Sequence, residues 1–547
     1  VERNRQLGQA IALRQPFDLI VVGAGINGAG IVRDASLRGL SVLCLDKGAI
    51  GSGTTSASTR LIHGGLRYLE HYELGLVRES LRERQTLLRI APHLVHPMPF
   101  VVPIYEGGKR GKHLIRLGLT AYDLLAFDKS LPSHRMLSRD EVRRQIPGLA
   151  EQGLIGAATY FDAQVQFPER LALENVIAGH EHGAVVGSHC RVDRFTIEGN
   201  RIGGVVFTDV TSQEQNEARA AITINASGPW LDELLSGEAG LRPPRMIGGT
   251  KGSHIVVAGF PGAPRQALYV EARSNRRPYF ALPWNGLYLI GTTDIRYEGD
   301  LDRVVASEEE IAYLIDETNA LIPSAGLNGE SVLYTYAGVR PLPFEPKGQE
   351  SAITRRHIVK DHAPQIEGLI SIIGGKLTTY RNLAEQAVDL AYRKMGRTPA
   401  PCVTAKVPLP GGSTPDYPAF VEGFRGSSGL SEASSSHLLS VYGTRALDVL
   451  KRAEGQEALL APFTEHGAIG AEVPFSFEHE FAVTLTDMLM SCSMAGWDAD
   501  MAVGPDCTAA DLAVRHAGWS KDEGRRQLDA YRKCLGRYGP RLLRGAS

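Results

Sequence analysis

Near the start of the chain, Phe17-Asp18-Leu19-Ile20-Val21-Val22 is a β-branched run with almost no polar residue. That is the pattern of a parallel strand buried on both faces. It opens into Gly23-Ala24-Gly25-Ile26-Asn27-Gly28, then a helical stretch over Ala29–Arg38 and a second apolar strand over Ser41–Asp46. Together these make one βαβ unit. Further along, Val205–Phe207, Ala221–Ala226, Ile255–Val257, Leu287–Ile290 and Leu369–Ile373 read as strands, and alternation around 245–295 predicts an antiparallel sheet beside the parallel one. Residues 398–417 shift to proline, glycine and small polar residues and predict a linker. Beyond it, His437–Arg452 and His479–Ser491 carry apolar residues at helical spacing, which predicts a C-terminal helical domain.

Composition narrows the class. With 43% hydrophobic and 22% charged residues over 547 positions, the chain is neither disordered, collagen-like nor coiled coil. Lys and Arg number 59 against 61 Asp and Glu, a net of −2 that gives no global reason to bind nucleic acid. Sixty glycines, about 11% against a usual value of about 7%, point to tight turns and close approach of backbone to a ligand. The six cysteines form no CxxC pair and no zinc-like spacing with histidine, which predicts a reduced, cytoplasmic setting and no metal site. The charged opening Val1–Arg5 leads into no apolar signal core, and no apolar run reaches the roughly 20 residues that cross a bilayer. Residues 107–125 join a basic entrance, Lys109-Arg110-Gly111-Lys112, to an apolar helical run, so they are a candidate for lying on anionic lipid.

The chemistry starts at the first turn. Gly23 permits the turn, Gly25 lets backbone approach a pyrophosphate and Gly28 lets helix and strand pack closely, while the helix N-terminus faces negative charge. About twenty residues on, Asp46 ends the second strand, where a carboxylate binds ribose hydroxyls. The hydroxyl-rich loop Gly51-Ser52-Gly53-Thr54-Thr55-Ser56-Ala57-Ser58-Thr59-Arg60 follows directly, then Leu61-Ile62-His63-Gly64-Gly65-Leu66-Arg67-Tyr68-Leu69-Glu70. Such a loop lines a diphosphate and ribityl chain, so FAD fits it better than NAD.

These segments, with Asn225–Trp230, Lys251–His254, Gly291–Asp294, Gly338–Leu342 and Gly374–Arg381, resemble the FAD-dependent glycerol-3-phosphate dehydrogenases in family order from about residue 17 into the helical tail. IHGGLRYLE and GGKLTTYR carry most of the specificity. Asp46 departs from the Glu that relatives commonly have there, although a carboxylate remains. The resemblance implies an α/β plan: a Rossmann-type FAD-binding domain with an inserted α+β substrate domain, mainly antiparallel, and a C-terminal helical domain. FAD binding is expected over 17–235 and again over 336–397, substrate binding over 236–335, the linker over 398–417 and the helical domain over 418–547.

The implied reaction is oxidation of sn-glycerol 3-phosphate to dihydroxyacetone phosphate, with electrons passing from FAD to a membrane quinone. Oxygen as acceptor and a non-catalytic flavin-binding sensor are the alternatives. A dianionic phosphate needs cations, and Arg67, Arg340, Arg355 and Lys376 are the candidates. His63, with an ordinary pKa of about 6.5, is the candidate base, with Arg67 and His254 as rivals for the alcohol. Catalysis is thus expected from His63, Arg67, Arg340 and Lys376. Tyr68, His254, Arg355 and Thr378 join Arg67, Arg340 and Lys376 around the substrate, and Tyr380 is expected in the pocket wall with Thr379 and Arg381 near the flavin. Implied cofactor contacts begin with Gly23, Gly25, Ile26, Asn27, Gly28, Asp46 and Lys47. They continue through Thr54, Thr55, Ser56, Ser58, Thr59, Leu61, His63, Gly64 and Gly65, then Ala226, Ser227, Gly228 and Trp230. Gly338, Arg340, Gly375, Lys376, Leu377, Thr378 and Thr379 complete the set. A quinone acceptor implies a peripheral protein on the cytoplasmic face of the inner membrane, without a nucleic-acid partner, and leaves a homodimer open.

Overall fold

Burial on both faces makes Phe17–Val22 the centre of a sheet. In the computed structural model, which describes residues 7–8, 15–236, 244–345 and 355–539 without the side chains of Arg67, Glu70 and His71, this strand pairs in parallel with Val42–Leu45 and with Gln215–Asn225. The sheet runs Ile358–Asp361, Leu369–Ile373, Gln215–Asn225, Phe17–Val22, Val42–Leu45, Val185–Gly187. Strands Cys190–Glu198 and Arg201–Asp209 extend it antiparallel from the start of Gln215–Asn225. Alternate side chains serve two cores. Leu19 and Val21 join the main cluster with residues of the helices Ile26–Leu37, Pro168–Glu181 and Tyr380–Lys394, while Ile20 and Val22 pack with Phe195, Phe207 and Leu231.

The second sheet is almost wholly antiparallel and larger than the stretch 236–335 expected for it. Its order is Ile295–Arg296, Thr250–Val257, Leu287–Gly291, Pro278–Trp284, Ala267–Glu271, Val95–Tyr105, Leu154–Val165, Leu61–Ile62. Val332–Arg340 pairs along Thr250–Val257, Arg135–Ser138 pairs with Leu154–Val165, and the contact of Ala267–Glu271 with Val95–Tyr105 is parallel. Residues 61–165 thus supply four strands of this layer, because a strand's partner is a long-range choice that its own alternation does not encode. The flavin-loop end, Leu61–Ile62, is itself an edge of this sheet.

The C-terminal region is helical, but not in the expected pieces. The run His437–Arg452 is split at Gly443, whose φ is +57° and where a Cβ would stand 2.0 Å from the Gly411 carbonyl oxygen; the helices are Glu432–Tyr442 and Ala446–Arg452. The run His479–Ser491 is not one helix. Helix Glu472–His479 ends there, Phe481 takes a left-handed φ of +60°, and helical structure resumes at Leu485 behind a Thr484 capping box. Part of the stretch 398–417 packs against the body of the protein. Leu409 is buried, and Gly411 lies against His93 and Glu174, its amide donating to Glu174 Oε2 at 3.1 Å. All six cysteines are free thiols. Among the described residues no helix is long and apolar enough to cross a membrane.

Candidate active site

One cavity of about 1300 Å³ runs from the glycine turn, between the two sheets, to the C-terminal domain. It exceeds the about 300–1,000 Å³ of ordinary small-molecule pockets, so it has room for an extended dinucleotide and a substrate together. At one end, Gly23 has a φ of +99°, and a Cβ there would meet the Ala226 carbonyl oxygen at 2.7 Å. Gly28 stands behind the wall, where a Cβ would lie 1.8 Å from the Gly23 carbonyl oxygen, so its role is the close packing read from its spacing. Helix Ile26–Leu37 has no side-chain cap and no acid in its first turn, leaving its N-terminal field for an anion. Asp46 lines the cavity at the strand end and accepts the amides of Ala24 at 2.6 Å and Gly48 at 2.8 Å. Burial pushes its carboxyl above the ordinary value, against those two donors.

The hydroxyl loop is fastened to the second sheet. Thr54 Oγ1 donates to the Val339 carbonyl at 2.8 Å, and Tyr336 Oη donates to the Ser58 carbonyl at 2.9 Å. Thr55 Oγ1 accepts the Ile26 amide at 3.0 Å, and Thr59 Oγ1 lies 2.9 Å from His254 Nε2. Gly338 is needed for this close approach, since a Cβ there would come 2.4 Å from Ala57 Cβ. Four buried polar atoms of wall residues have no hydrogen-bond partner among the described residues: Asn27 Oδ1, Trp230 Nε1, His254 Nδ1 and Lys376 Nζ. Buried polar groups are costly to leave unpaired, so these orphans, the glycine cradle and the ribose-ready carboxylate fit FAD along this groove. Lys47 lies over the Trp230 ring at 4.3 Å and pairs with Asp302 at 2.6 Å.

Cations gather where the two sheets meet. Arg340 ends strand Val332–Arg340; it pairs with Asp294 Oδ1 at 3.1 Å and donates to Thr292 Oγ1 at 3.0 Å. Arg355 reaches Asp294 Oδ2 at 3.5 Å. Two guanidiniums share one carboxylate, leaving net positive charge on the wall. Burial lowers the Arg340 pKa and Asp294 raises it, while the two arginines hold the Asp294 carboxyl below its ordinary value. Lys376 Nζ sits 3.7 Å from the Tyr68 ring centroid. Burial brings its pKa down to about 7, with Glu73 and Glu79 opposing and Arg355 and Arg356 adding to the shift.

Two histidines face the cavity, both neutral at physiological pH. Burial takes His63 to about 4, with Asp162 opposing and Lys376 and Arg84 assisting. Its amide donates to Thr378 Oγ1 at 3.1 Å, and Thr378 Oγ1 donates back to its carbonyl. His254 is driven well below its ordinary value by burial and by Arg340. Its ring stacks on Tyr336 at 4.8 Å between centroids, and its Nδ1 has no described partner.

Of the expected site residues, Gly28, Gly64 and Thr379 are not on the cavity wall, and the Arg67 side chain lies outside the described residues. The Gly64 amide is engaged by Tyr122 Oη at 2.9 Å and Asp162 Oδ1 at 3.3 Å; the Thr379 amide donates to the Lys376 carbonyl as the helix begins. Tyr380 and Arg381 turn into the core, Tyr380 accepting from Asn175 and Arg381 forming a two-bond pair with Glu83. The other expected residues line the cavity. Sequence reasoning assigned no role to Asp294, although it lies within the quoted Gly291–Asp294 run, nor to Arg277, Trp497 and Tyr538, which also line the wall. No local signal marked the last two. Among the described residues no group of His, Cys, Asp and Glu is arranged to hold a metal.

Residues 18–381 match the family FAD dependent oxidoreductase, and residues 402–524 match the C-terminal domain of alpha-glycerophosphate oxidase. A glycerol-3-phosphate dehydrogenase of Synechocystis sp. is 45% identical over 536 residues, covering 95% of this chain and 96% of that one. An aerobic glycerol-3-phosphate dehydrogenase of Staphylococcus saprophyticus is 34% identical over 87% of this chain and 86% of its own. The crystal structure of the glycerol-3-phosphate dehydrogenase from Bacillus halodurans complexed with FAD superposes with a TM-score of 0.79 at 26% identity, covering 98% of this chain and 97% of that one.

Proposed function

The chain belongs to the FAD dependent oxidoreductases, among the glycerol-3-phosphate dehydrogenases, and we propose that it oxidises sn-glycerol 3-phosphate at its secondary hydroxyl to dihydroxyacetone phosphate. FAD, bound along the groove, supplies the hydride acceptor. The observation that carries the substrate class is the buried Lys376 Nζ, which has a ring face but no hydrogen-bond acceptor among the described residues, in the same cavity as Arg340 and Arg355. Buried cations without a hydrogen-bond acceptor are expensive unless a ligand completes them, and a phosphate dianion does so. Arg340, already fixed by Asp294 and Thr292, offers a guanidinium with a set direction, and Lys376 supplies a point charge in the same cavity. His63, neutral through burial, takes the hydroxyl proton; its backbone is held to Thr378 and its neighbour Lys376 favours the developing alkoxide. His254, oriented by Thr59 and Tyr336, contacts the polar end of the substrate.

We further propose a membrane quinone as electron acceptor and docking through the helix Lys112–Leu125. Its inner face, Ile115, Leu119 and Tyr122, is buried, yet Leu114, Leu117 and Leu124 on the outside are 55%, 66% and 72% exposed, with Phe127 at 78% and Tyr72 at 87%. Lys109, Lys112 and Arg116 stand beside these apolar side chains, the arrangement suited to an anionic lipid surface. The test is anaerobic: the purified holoenzyme is mixed with sn-glycerol 3-phosphate, with glycerol as control, and the visible flavin band is followed. Bleaching by the phosphate ester alone is expected, reversed by a quinone. A flavin that stays oxidised overturns the substrate assignment, and peroxide formed in air at the full rate replaces the quinone with oxygen.

A further inference from the structure

The flavin loop ends at a residue the mechanism does not use. Arg60 is fully buried, in the left-handed conformation with φ +59°. Its guanidinium lies over the rings of both Trp284 and Trp497, 4.4 Å from each centroid, with Tyr336 at 5.6 Å, and the two indoles meet edge-on at 6.0 Å between centroids. It makes a two-bond pair with Glu169, at 2.9 and 2.8 Å, and donates to the Gln166 carbonyl at 3.2 Å and to the Ser56 carbonyl of its own loop at 3.3 Å. Three regions therefore meet on one side chain. Glu169 comes from a helix on the dinucleotide sheet, Trp284 from the second sheet, and Trp497 from the C-terminal domain. Trp497 is held in turn: its indole Nε1 donates to the Met490 carbonyl at 3.0 Å, and its own carbonyl accepts from Tyr334 Oη at 2.8 Å and Asn285 Nδ2 at 3.1 Å.

We propose that Trp497 is a positioning residue for the dehydrogenation: by stacking on Arg60 it fixes the loop Ser56–Thr59 and, through Thr59, the ring of His254. The path is continuous. Arg60 closes the loop onto Ser56, the adjacent Thr59 meets His254 Nε2, and both Thr59 and His254 line the cavity. A guanidinium facing two indoles in a desolvated setting is held by cation–π attraction, which fixes it at the end of the loop. The C-terminal domain is thereby part of the active site's construction rather than an appendage. This rests on the flavin-loop reading above.

The test uses flavin-loaded full-length Trp497→Ala, Trp497→Phe and Thr59→Val, with the double variant Trp497→Ala/Thr59→Val, in anaerobic rapid mixing with sn-glycerol 3-phosphate. Wild-type enzyme run alongside must bleach; if it does not, the substrate reading fails instead. Expected is a slower flavin reduction in Trp497→Ala, by about tenfold to a hundredfold, the scale of a small misplacement at a reacting centre, with a smaller change in KM. Trp497→Phe, which keeps a ring face, recovers most of the rate. The double variant is no slower than the slower single one, because both changes act through one path. A Trp497→Ala rate within twofold of wild type, equal losses in Ala and Phe, or multiplying losses in the double variant would each overturn the proposal. Should Trp497→Ala yield no folded holoenzyme, Trp497→Leu, which fills more of the space without a ring face, takes its place with the same outcomes.

Discussion

Lys376 carries the sharpest consequence at the scale of single residues. Its folded pKa is depressed to about 7, so as pH rises through about 7 the free enzyme loses the cation that receives a phosphate dianion. His63 is depressed to about 4 and remains a neutral acceptor over that whole range, becoming protonated only as pH falls toward about 4. The expected kcat/KM profile therefore falls on the alkaline side by about tenfold per pH unit above about 7, while kcat at saturating substrate holds further, because the bound dianion pulls the ammonium back toward its charged form. Lys376→Arg keeps its charge at every accessible pH and should lose the alkaline limb. Lys376→Met should lower kcat/KM at neutral pH by roughly 1.5–3 kcal/mol, the worth of one charge-assisted contact. A limb that persists at the same pH in Lys376→Arg would assign it to another group. This site was legible in part because GGKLTTYR placed Lys376 beside two glycines in an otherwise apolar setting. Asp294, which pairs with Arg340 and Arg355 and so directs them, was not, since the pairing arises only when three distant segments meet.

Elements differ in how much of themselves they announce. Phe17–Val22 could be read as a central strand because each of its faces meets its own core, which demands an unbroken apolar run. The helical periodicity over His437–Arg452 and His479–Ser491 was also real, but periodicity does not show where the chain must turn. Gly443 and Phe481 take left-handed backbone conformations that break those runs in two. Lys112–Leu125 is the instructive intermediate: its helix was legible, and so was its basic start, yet only the structure separates the buried Ile115, Leu119 and Tyr122 from the exposed Leu114, Leu117 and Leu124. A helix apolar on both sides needs a second apolar neighbour. If that neighbour is lipid, Leu117→Glu combined with Leu124→Glu should abolish flotation with anionic liposomes while leaving flavin reduction by substrate intact. The Lys109/Lys112/Arg116 triple alanine should weaken flotation by about 1 kcal/mol per charge at low salt. Undiminished flotation of the Glu variant would place the membrane contact elsewhere.

At the scale of the whole molecule, the connection between the oxidoreductase body and the C-terminal domain is built from buried charge. Arg170, on helix Pro168–Glu181, makes two bonds to Glu480, at 2.6 and 2.9 Å, and donates to the Val441 and Cys492 carbonyls at 3.0 and 3.2 Å. Its guanidinium lies 4.6 Å from the Tyr442 ring, and Arg445 joins the same carboxylate at 2.5 Å. Nothing in the sequence marked this cluster, because charged residues scattered over three hundred positions give no periodic signal. Such a pair earns little against a well-packed apolar substitute, but removing one partner strands the other in a dry interior. Glu480→Gln should thus destabilise the holoenzyme by roughly 3–5 kcal/mol, seen as a lower unfolding midpoint and faster proteolysis of the C-terminal domain. The loss should extend to slower flavin reduction, since Trp497 belongs to the domain that is loosened. Arg452 and Glu478 form a comparable two-bond pair in the same domain, at 2.7 and 2.9 Å, but their side chains are partly exposed. Arg452→Ala should therefore cost less than about 1 kcal/mol and leave flavin reduction unchanged. Similar losses in the two variants would mean that burial does not set the strength of this junction. A destabilised Glu480→Gln enzyme that still reduces its flavin at the wild-type rate would separate the domain's docking from its hold on the flavin loop.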